Sequence, residues 1–190
     1  MRQRRIIVIT GTPGTGKTTL ADKLSKKLKG SVVVNVNELV SRKRLFTGYA
    51  EDDAMIVKMH ALSKAISAEL KKNAKKDVIL EGHLLCDMKI KGAVVFVLRE
   101  HLHVLMKRLR RRGYPLRKLK DDIVSEATDY CGIKAMENYS TVFEFMCGKG
   151  SETLKRVIGT LEGKKLRKFK SIDMLSELEV LMGKPEWRAP

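Results

Sequence analysis

Residues 11–18 read Gly-Thr-Pro-Gly-Thr-Gly-Lys-Thr, a complete Gly-x-x-x-x-Gly-Lys-Thr phosphate-loop pattern. Before it, Ile6-Ile7-Val8-Ile9 is an unbroken apolar run. Such a run, ended by glycine, suits a strand buried on both faces of a parallel sheet. After it, Leu20, Leu24 and Leu28 recur at helical spacing, with Gly30 where a helix stop belongs. Strand, loop and helix in this order predict a loop whose backbone N–H groups turn inward toward anionic oxygens. Gly14 and Gly16 free the backbone to make that turn. Lys17 is placed to reach β- and γ-phosphates, and Thr18 to ligate Mg²⁺. The start of the following helix adds its positive dipole end.

The remaining chain reads as alternating strands and helices, hence an α/β P-loop NTPase in a single domain spanning residues 1–190. Strands are expected at Ser31–Val36, Asp77–Glu81, Ala93–Leu98 and Ser140–Phe145. A short helix and turn is expected over 37–48, closing at Gly48-Tyr49. Long helices are expected over Ala50–Ala74 and Leu116–Asn138, and a basic helix carries Leu102, Leu105, Met106 and Leu109. Ser151–Leu161 is read as a helix capped by Ser151. A basic run over 164–170 precedes a short helix around Ile172–Met182, and Pro185–Pro190 reads as a tail.

No apolar run approaches the ~18 residues of a membrane-spanning helix. The N-terminal run is too short for a signal peptide, so a cytoplasmic protein is expected. Cys86, Cys131 and Cys147 are too widely spaced for a disulfide framework or a zinc pattern and are read as free thiols. His101 and His103 lack a third ligand and are read as surface residues. The formal net charge of +17 exceeds what a mononucleotide can use. It leaves two readings, a solvated basic surface or a polyanionic partner, RNA first.

Phosphoryl transfer needs a second anchor for Mg²⁺ at a neighbouring strand end, and Glu81 after Val78-Ile79-Leu80 supplies a carboxylate there. His83, two residues on, is a candidate for orienting water or sensing the γ-phosphate. The Arg108–Arg112 cluster, ending at Gly113, is where a closing lid could deliver an arginine to the transferring oxygens. A GTPase is disfavoured, because Asn73-Ala-Lys-Lys-Asp77 is not an Asn-Lys-x-Asp guanine motif.

Gly11-Thr-Pro-Gly-Thr-Gly-Lys-Thr-Thr19, Asn35-Val-Asn-Glu-Leu39, Gly48-Tyr49, Glu81-Gly-His83, Val95-Phe-Val-Leu-Arg99 and Arg112-Gly-Tyr114 form a more specific set. Together they resemble the adenylate-kinase-like nucleoside monophosphate (NMP) kinases of the adenylate kinase isoenzyme six type, archaeal members above all. The likeness runs from about Ile6 to Leu154. It implies an adenylate kinase-like five-stranded parallel sheet flanked by helices, an NMP-binding segment near 35–58 and a short lid near 111–121. It implies phosphoryl transfer between ATP and AMP or another NMP, with ATP hydrolysis. It also implies a part in late maturation of the small ribosomal subunit, with a ribosomal protein of the uS11 type and the pre-30S particle or its rRNA as partners. Gly14, Gly16, Lys17, Thr18 and Thr19 would bind ATP phosphates, Arg112 would be the lid arginine, and Lys149 would be an ATP-side contact. Glu38 and Arg42 would serve the acceptor. The chain departs from the pattern in two places: the acceptor-side arginine falls one position late, at Arg42, and Lys58 stands where an acid is common. Two other readings stay open, an assembly ATPase whose acceptor is water and a kinase for another small metabolite.

Overall fold

A computed structural model describes residues 4–50, 55–147, 150–164, 173–184 and 187. Five parallel strands form its frame: β1 (Ile6–Thr10), β2 (Val32–Asn35), β5 (Val78–Glu81), β6 (Ala93–Arg99) and β7 (Val142–Met146), in the order β2-β5-β1-β6-β7. Side chains alternate between the faces of this sheet. Ile7, Ile9, Ile79, Phe96 and Leu98 pack on one side under α1 (Lys17–Lys27) and α7 (Gly150–Leu161). Val8, Val78, Leu80, Val95 and Val97 pack on the other, with α2 (Val36–Arg42), α3 (Met59–Lys72) and α6 (Tyr130–Asn138). Both faces are covered, which explains why these strands are apolar without a break. A third core joins α4 (Leu102–Arg111), α5 (Leu116–Ala127) and α8 (Leu175–Met182).

The central strand β1 pairs with β5 on one side and β6 on the other, so the chain reverses its direction of winding beside it. Loops at the carboxyl ends of strands on either side of such a point diverge and leave a crevice. The phosphate loop leaves β1 there. Gly11, at φ 131°, passes so close to β6 that a Cβ would stand 2.3 Å from the Leu98 carbonyl oxygen. Only glycine fits that approach.

Several elements differ from the sequence-based expectation. The long helix expected from Ala50 begins only at Met59. Before it, β3 (Phe46–Tyr49) and β4 (Met55–Val57) form an antiparallel ladder. Met55 and Val57 are partly buried, while Ile56 between them is exposed, a period of two that merges with the helical spacing beyond. Val36 opens α2 instead of closing β2, because the Asn35 side chain caps the helix by accepting from Glu38 N. The helix expected over Leu116–Asn138 is two. The chain breaks at Asp129 (φ 56°), whose carboxylate is drawn to Arg99 Nη1 at 2.5 Å. Ser151 lies inside α7 rather than at its cap. Most of the basic run over 164–170 lies outside the described residues, as does Ile172. Trp187, expected in a tail, packs on the third core.

Leu24→Ala, which empties a fully buried site between α1 and the sheet, is expected to cost about 2–5 kcal/mol in urea unfolding. Val180→Ala, at a largely exposed position of α8, is expected to stay within about 0.5 kcal/mol of the parent.

Candidate active site

The phosphate loop runs from Gly11 into α1, whose cap residue Gly16 (φ 95°) offers no side-chain hydrogen bond. The first N–H groups of the helix are therefore left to a ligand. Lys17 Nζ donates to the Gly11 and Thr12 carbonyls, both at 2.9 Å, closing the loop upon itself. Burial holds its pKa below the ordinary lysine value, with Glu81 and Glu126 among the nearby groups that oppose this. Such an ammonium gains by meeting the extra negative charge of a phosphate.

Glu81 ends β5 beside the loop and is 2% exposed. Its Oε1 accepts from the Thr18 hydroxyl at 3.1 Å and from Asn35 Nδ2. Burial raises its pKa above the carboxylate norm, and the Thr18 hydrogen bond and the Lys17 charge temper the rise. A hydroxyl and a carboxylate in contact are hard oxygen donors of the kind Mg²⁺ takes, with phosphate and water completing its shell. No group of three or more His, Cys, Asp or Glu suited to a metal occurs among the described residues. A Mg²⁺ shared with a nucleotide does not need one. Gly82 follows, where a Cβ would stand 2.8 Å from Val36 Cβ.

His83 then opens a 3-10 turn, His83–Asp87, and its carbonyl accepts from Thr10 Oγ1 at 3.1 Å. Burial, with Lys17 and Lys118 near, pushes its imidazole down to about 4. The ring is neutral at pH 7 and acts as a hydrogen-bonding group, not a cation.

These residues share one cleft of about 590 Å³. The loop residues Gly14, Gly16, Lys17, Thr18 and Thr19, then Glu81 and His83, and Arg112 from the end of α4, all line it. A second cavity of about 250 Å³ lies across the loop, bounded by Leu20, Leu98, Arg108, Cys147 and Thr153. Gly14, Gly16, Thr19 and Arg112 border both.

Glu38 and Arg42 do not join the cleft. Successive residues of a helix are about 100° apart, so Asn37 and Val40 take the cleft face of α2 and Glu38 and Arg42 the other. Arg42 lies 3.7 Å from Glu69 of α3, and both line a separate groove beside β2. The wall expected from them is built instead by Asn35, Asn37 and Val40 with Tyr49, Met55 and Val57 of the hairpin. Lys149 lies outside the described residues.

Sequence reasoning passed over the supports of the loop. Arg108 Nη1 donates to the Gly14 carbonyl at 3.0 Å and pairs with Glu100 at 2.7 Å. Thr12 Oγ1 donates to Glu126 Oε2 at 2.5 Å. Glu126 Oε1 takes Arg99 Nε at 3.0 Å and Glu100 N at 2.8 Å. Arg99 Nη1 also meets Asp129 and Glu144. Arg99 and Glu126 are each 1% exposed. Arg99, closing a strand of six apolar residues, was the one visible signal: a charge so placed needs a buried partner.

The geometry is that of a P-loop NTPase, with a phosphate loop, an acid at the neighbouring strand end and an arginine at the end of α4. Comparisons with known proteins agree. A family model described as "AAA domain" matches residues 7–129. A Pyrococcus furiosus protein named "Putative adenylate kinase" is 37% identical over 139 residues, 73% of each chain. A Pyrococcus abyssi protein of the same name is 32% identical over 170 residues, covering 88% of this chain and 90% of its own. The chain belongs to this adenylate-kinase-like family of P-loop kinases. Solved structures share the fold at lower identity: a shikimate kinase from Bacteroides thetaiotaomicron has TM-score 0.59 and 19% identity, over 83% of this chain and 98% of its own. The Deinococcus radiodurans tunicamycin resistance protein has TM-score 0.58 and 23% identity, over 88% of this chain and all of its own. Among the described residues no helix is long and apolar enough to cross a membrane.

Three carboxylates around one guanidinium make the buried cluster sensitive to pH. Burial and the neighbouring Asp129 push Glu144 up to about 7, from an ordinary 4.5. Folding thus favours protonated Glu144. Its contribution is complete below the unfolded value and is lost as pH rises through about 7. Glu144→Gln is expected to raise the melting temperature at pH 8 relative to the parent by about 2–4 °C per kcal/mol recovered, with little gain at pH 4. A gain larger at pH 4 than at pH 8 would contradict this assignment of charge.

Proposed function

We propose that the protein is a cytoplasmic NMP kinase of broad acceptor range, converting ATP and AMP to two ADP, with ATP hydrolysis as its acceptor-free reaction. The observation that carries this reading is the pair of cavities that share one phosphate loop, both bordered by Gly14, Gly16, Thr19 and Arg112. A donor nucleotide seated across the loop would bring its terminal phosphate toward the larger cleft, where an acceptor can lie in line.

Mg²⁺ bound with ATP would neutralise the β- and γ-oxygens. This chain's own residues do the rest by positioning and charge. Lys17 exchanges the Gly11 and Thr12 carbonyls for phosphate oxygens. Thr18 and Glu81 hold the metal side. Arg112 follows the transferring group from the lid, and neutral His83 holds the acceptor hydroxyl or a water by a hydrogen bond. The proposed acceptor segment spans residues 35–58, with Asn37, Val40, Tyr49, Met55 and Val57 as its wall, and the proposed lid spans residues 111–121.

A second reading is a small-subunit assembly ATPase with water as its physiological acceptor. It would act in late maturation and rRNA processing, with a uS11-type ribosomal protein and the pre-30S particle as partners. Two observations favour it. The acceptor-side charges Glu38 and Arg42 face away from the cleft. Lys107, Arg108, Arg110, Arg111, Arg112, Arg117, Lys118 and Lys120 concentrate positive charge on α4, α5 and the turn between them, a feature suited to a polyanion.

The deciding measurement is ADP formation from Mg²⁺-ATP with and without AMP, repeated with CMP, UMP and GMP. The kinase reading expects a large AMP-dependent rise and two ADP per ATP consumed. Slow ADP release indifferent to every NMP would replace it with the ATPase reading. Lys17→Met is expected to lower either activity by at least ~10²-fold. His83→Gly is expected to lower turnover while leaving ATP binding intact, and an unchanged rate would make His83 a structural residue.

A further inference from the structure

Asn35 stands where the metal side of the cleft meets its acceptor wall. β2 and β5 run parallel with Asn35 directly opposite Glu81, so both side chains emerge at the carboxyl edge of the sheet. The two ends of its amide are used differently. Oδ1 accepts from Glu38 N at 2.9 Å and caps α2. Nδ2 donates to Glu81 Oε1, the oxygen that also takes the Thr18 hydroxyl. The orientation follows from the partners: a flipped amide would set N–H against N–H and oxygen against carboxylate.

An ordinary helix cap needs only the oxygen, and serine or aspartate provides it as well as asparagine does. The nitrogen is surplus to capping, and it is spent on Glu81, the carboxylate that also takes the Thr18 hydroxyl. The capped helix carries Asn37 and Val40 into the same cleft. One planar amide therefore fixes the distance between the Glu81 carboxylate and the first turn of the acceptor wall.

We propose that Asn35 is a positioning residue that ties Glu81, and through it the water shell of the nucleotide's metal, to the acceptor segment. The proposal rests on the kinase reading for the acceptor half and on Glu81 as the metal-side acid for the other.

Three variants separate the two ends of the amide. Asn35→Ser keeps a cap and loses the bond to Glu81. Asn35→Asp keeps a cap and turns an acceptor toward Glu81. Asn35→Ala loses both. ADP binding is measured by titration calorimetry with and without Mg²⁺, beside the melting temperature of the ligand-free protein and the Mg²⁺ dependence of turnover. Asn35→Ser is expected to melt within about 2 °C of the parent. Its Mg²⁺-dependent tightening of ADP is expected to fall about 10-fold, the effect typical of losing a partner behind a metal ligand. Asn35→Asp is expected to lose at least as much, and Asn35→Ala to melt lower as well. Turnover should need correspondingly more Mg²⁺ in each variant.

An Asn35→Ser protein, or an Asn35→Asp protein if serine fails to fold, with the parent's Mg²⁺ response would reduce Asn35 to a cap and overturn the proposal. A parent whose ADP affinity ignores Mg²⁺ would overturn it too. The calorimetry needs no acceptor. A parent indifferent to every NMP would therefore remove the kinase reading alone, while a lost Mg²⁺ response in Asn35→Ser would still uphold the tie to Glu81.

Discussion

A guanidinium buried to within 1% of its surface has to be answered by charge, and the answer given to Arg99 organises the molecule. Glu126 of α5 supplies a carboxylate oxygen to the Arg99 Nε and holds the Glu100 backbone with the same oxygen. Its other oxygen takes the Thr12 hydroxyl. The phosphate loop is thus fastened from beneath to the helix that follows the proposed lid. Arg108, on the helix that precedes the lid, grips the same loop at the Gly14 carbonyl. Both helices beside the proposed lid meet the loop through side chains, so the loop is held by the protein itself. The excess of acid around Arg99 is balanced by raising the proton affinity of Glu144 and Asp129.

The cleft above shows the complementary arrangement. Lys17 is half-buried and turned on backbone carbonyls, Glu81 is buried and turned on a hydroxyl and an amide, and His83 is neutral. Lys17 and Glu81 each have partners inside the protein that are weaker than those a Mg²⁺-nucleotide would offer. These two groups are therefore satisfied without being closed to a ligand.

Much of this was legible in the chain because it rests on local rules. The phosphate loop, the apolar strands around it and the acid at the end of β5 each follow from a few adjacent residues. What could not be read depends on contacts across the sheet. The hairpin of β3 and β4 carries apolar residues whose period of two runs directly into the helical period of α3, and only the cleft on one side and solvent on the other separate them. The break at Asp129 obeys Arg99, thirty residues away in sequence. The family resemblance assigned Glu38 and Arg42 to the acceptor, but the angular phase of α2 turns both to a separate groove, where Arg42 meets Glu69, and gives the cleft to Asn37 and Val40.

The ladder of β3 and β4 shares no strand with the five-stranded sheet. It lends Tyr49, Met55 and Val57 to the cleft, whereas the groups that handle phosphate come from β1, α1, β5 and α4. On the proposed kinase reading, choice of acceptor and transfer of phosphate are encoded in separable stretches of chain. The hairpin is a cassette: its residues can be exchanged over generations without disturbing the register of the main sheet. A lineage with this frame can drift from one small acceptor to another, or leave the acceptor seat to water, while its phosphate machinery stays as it is.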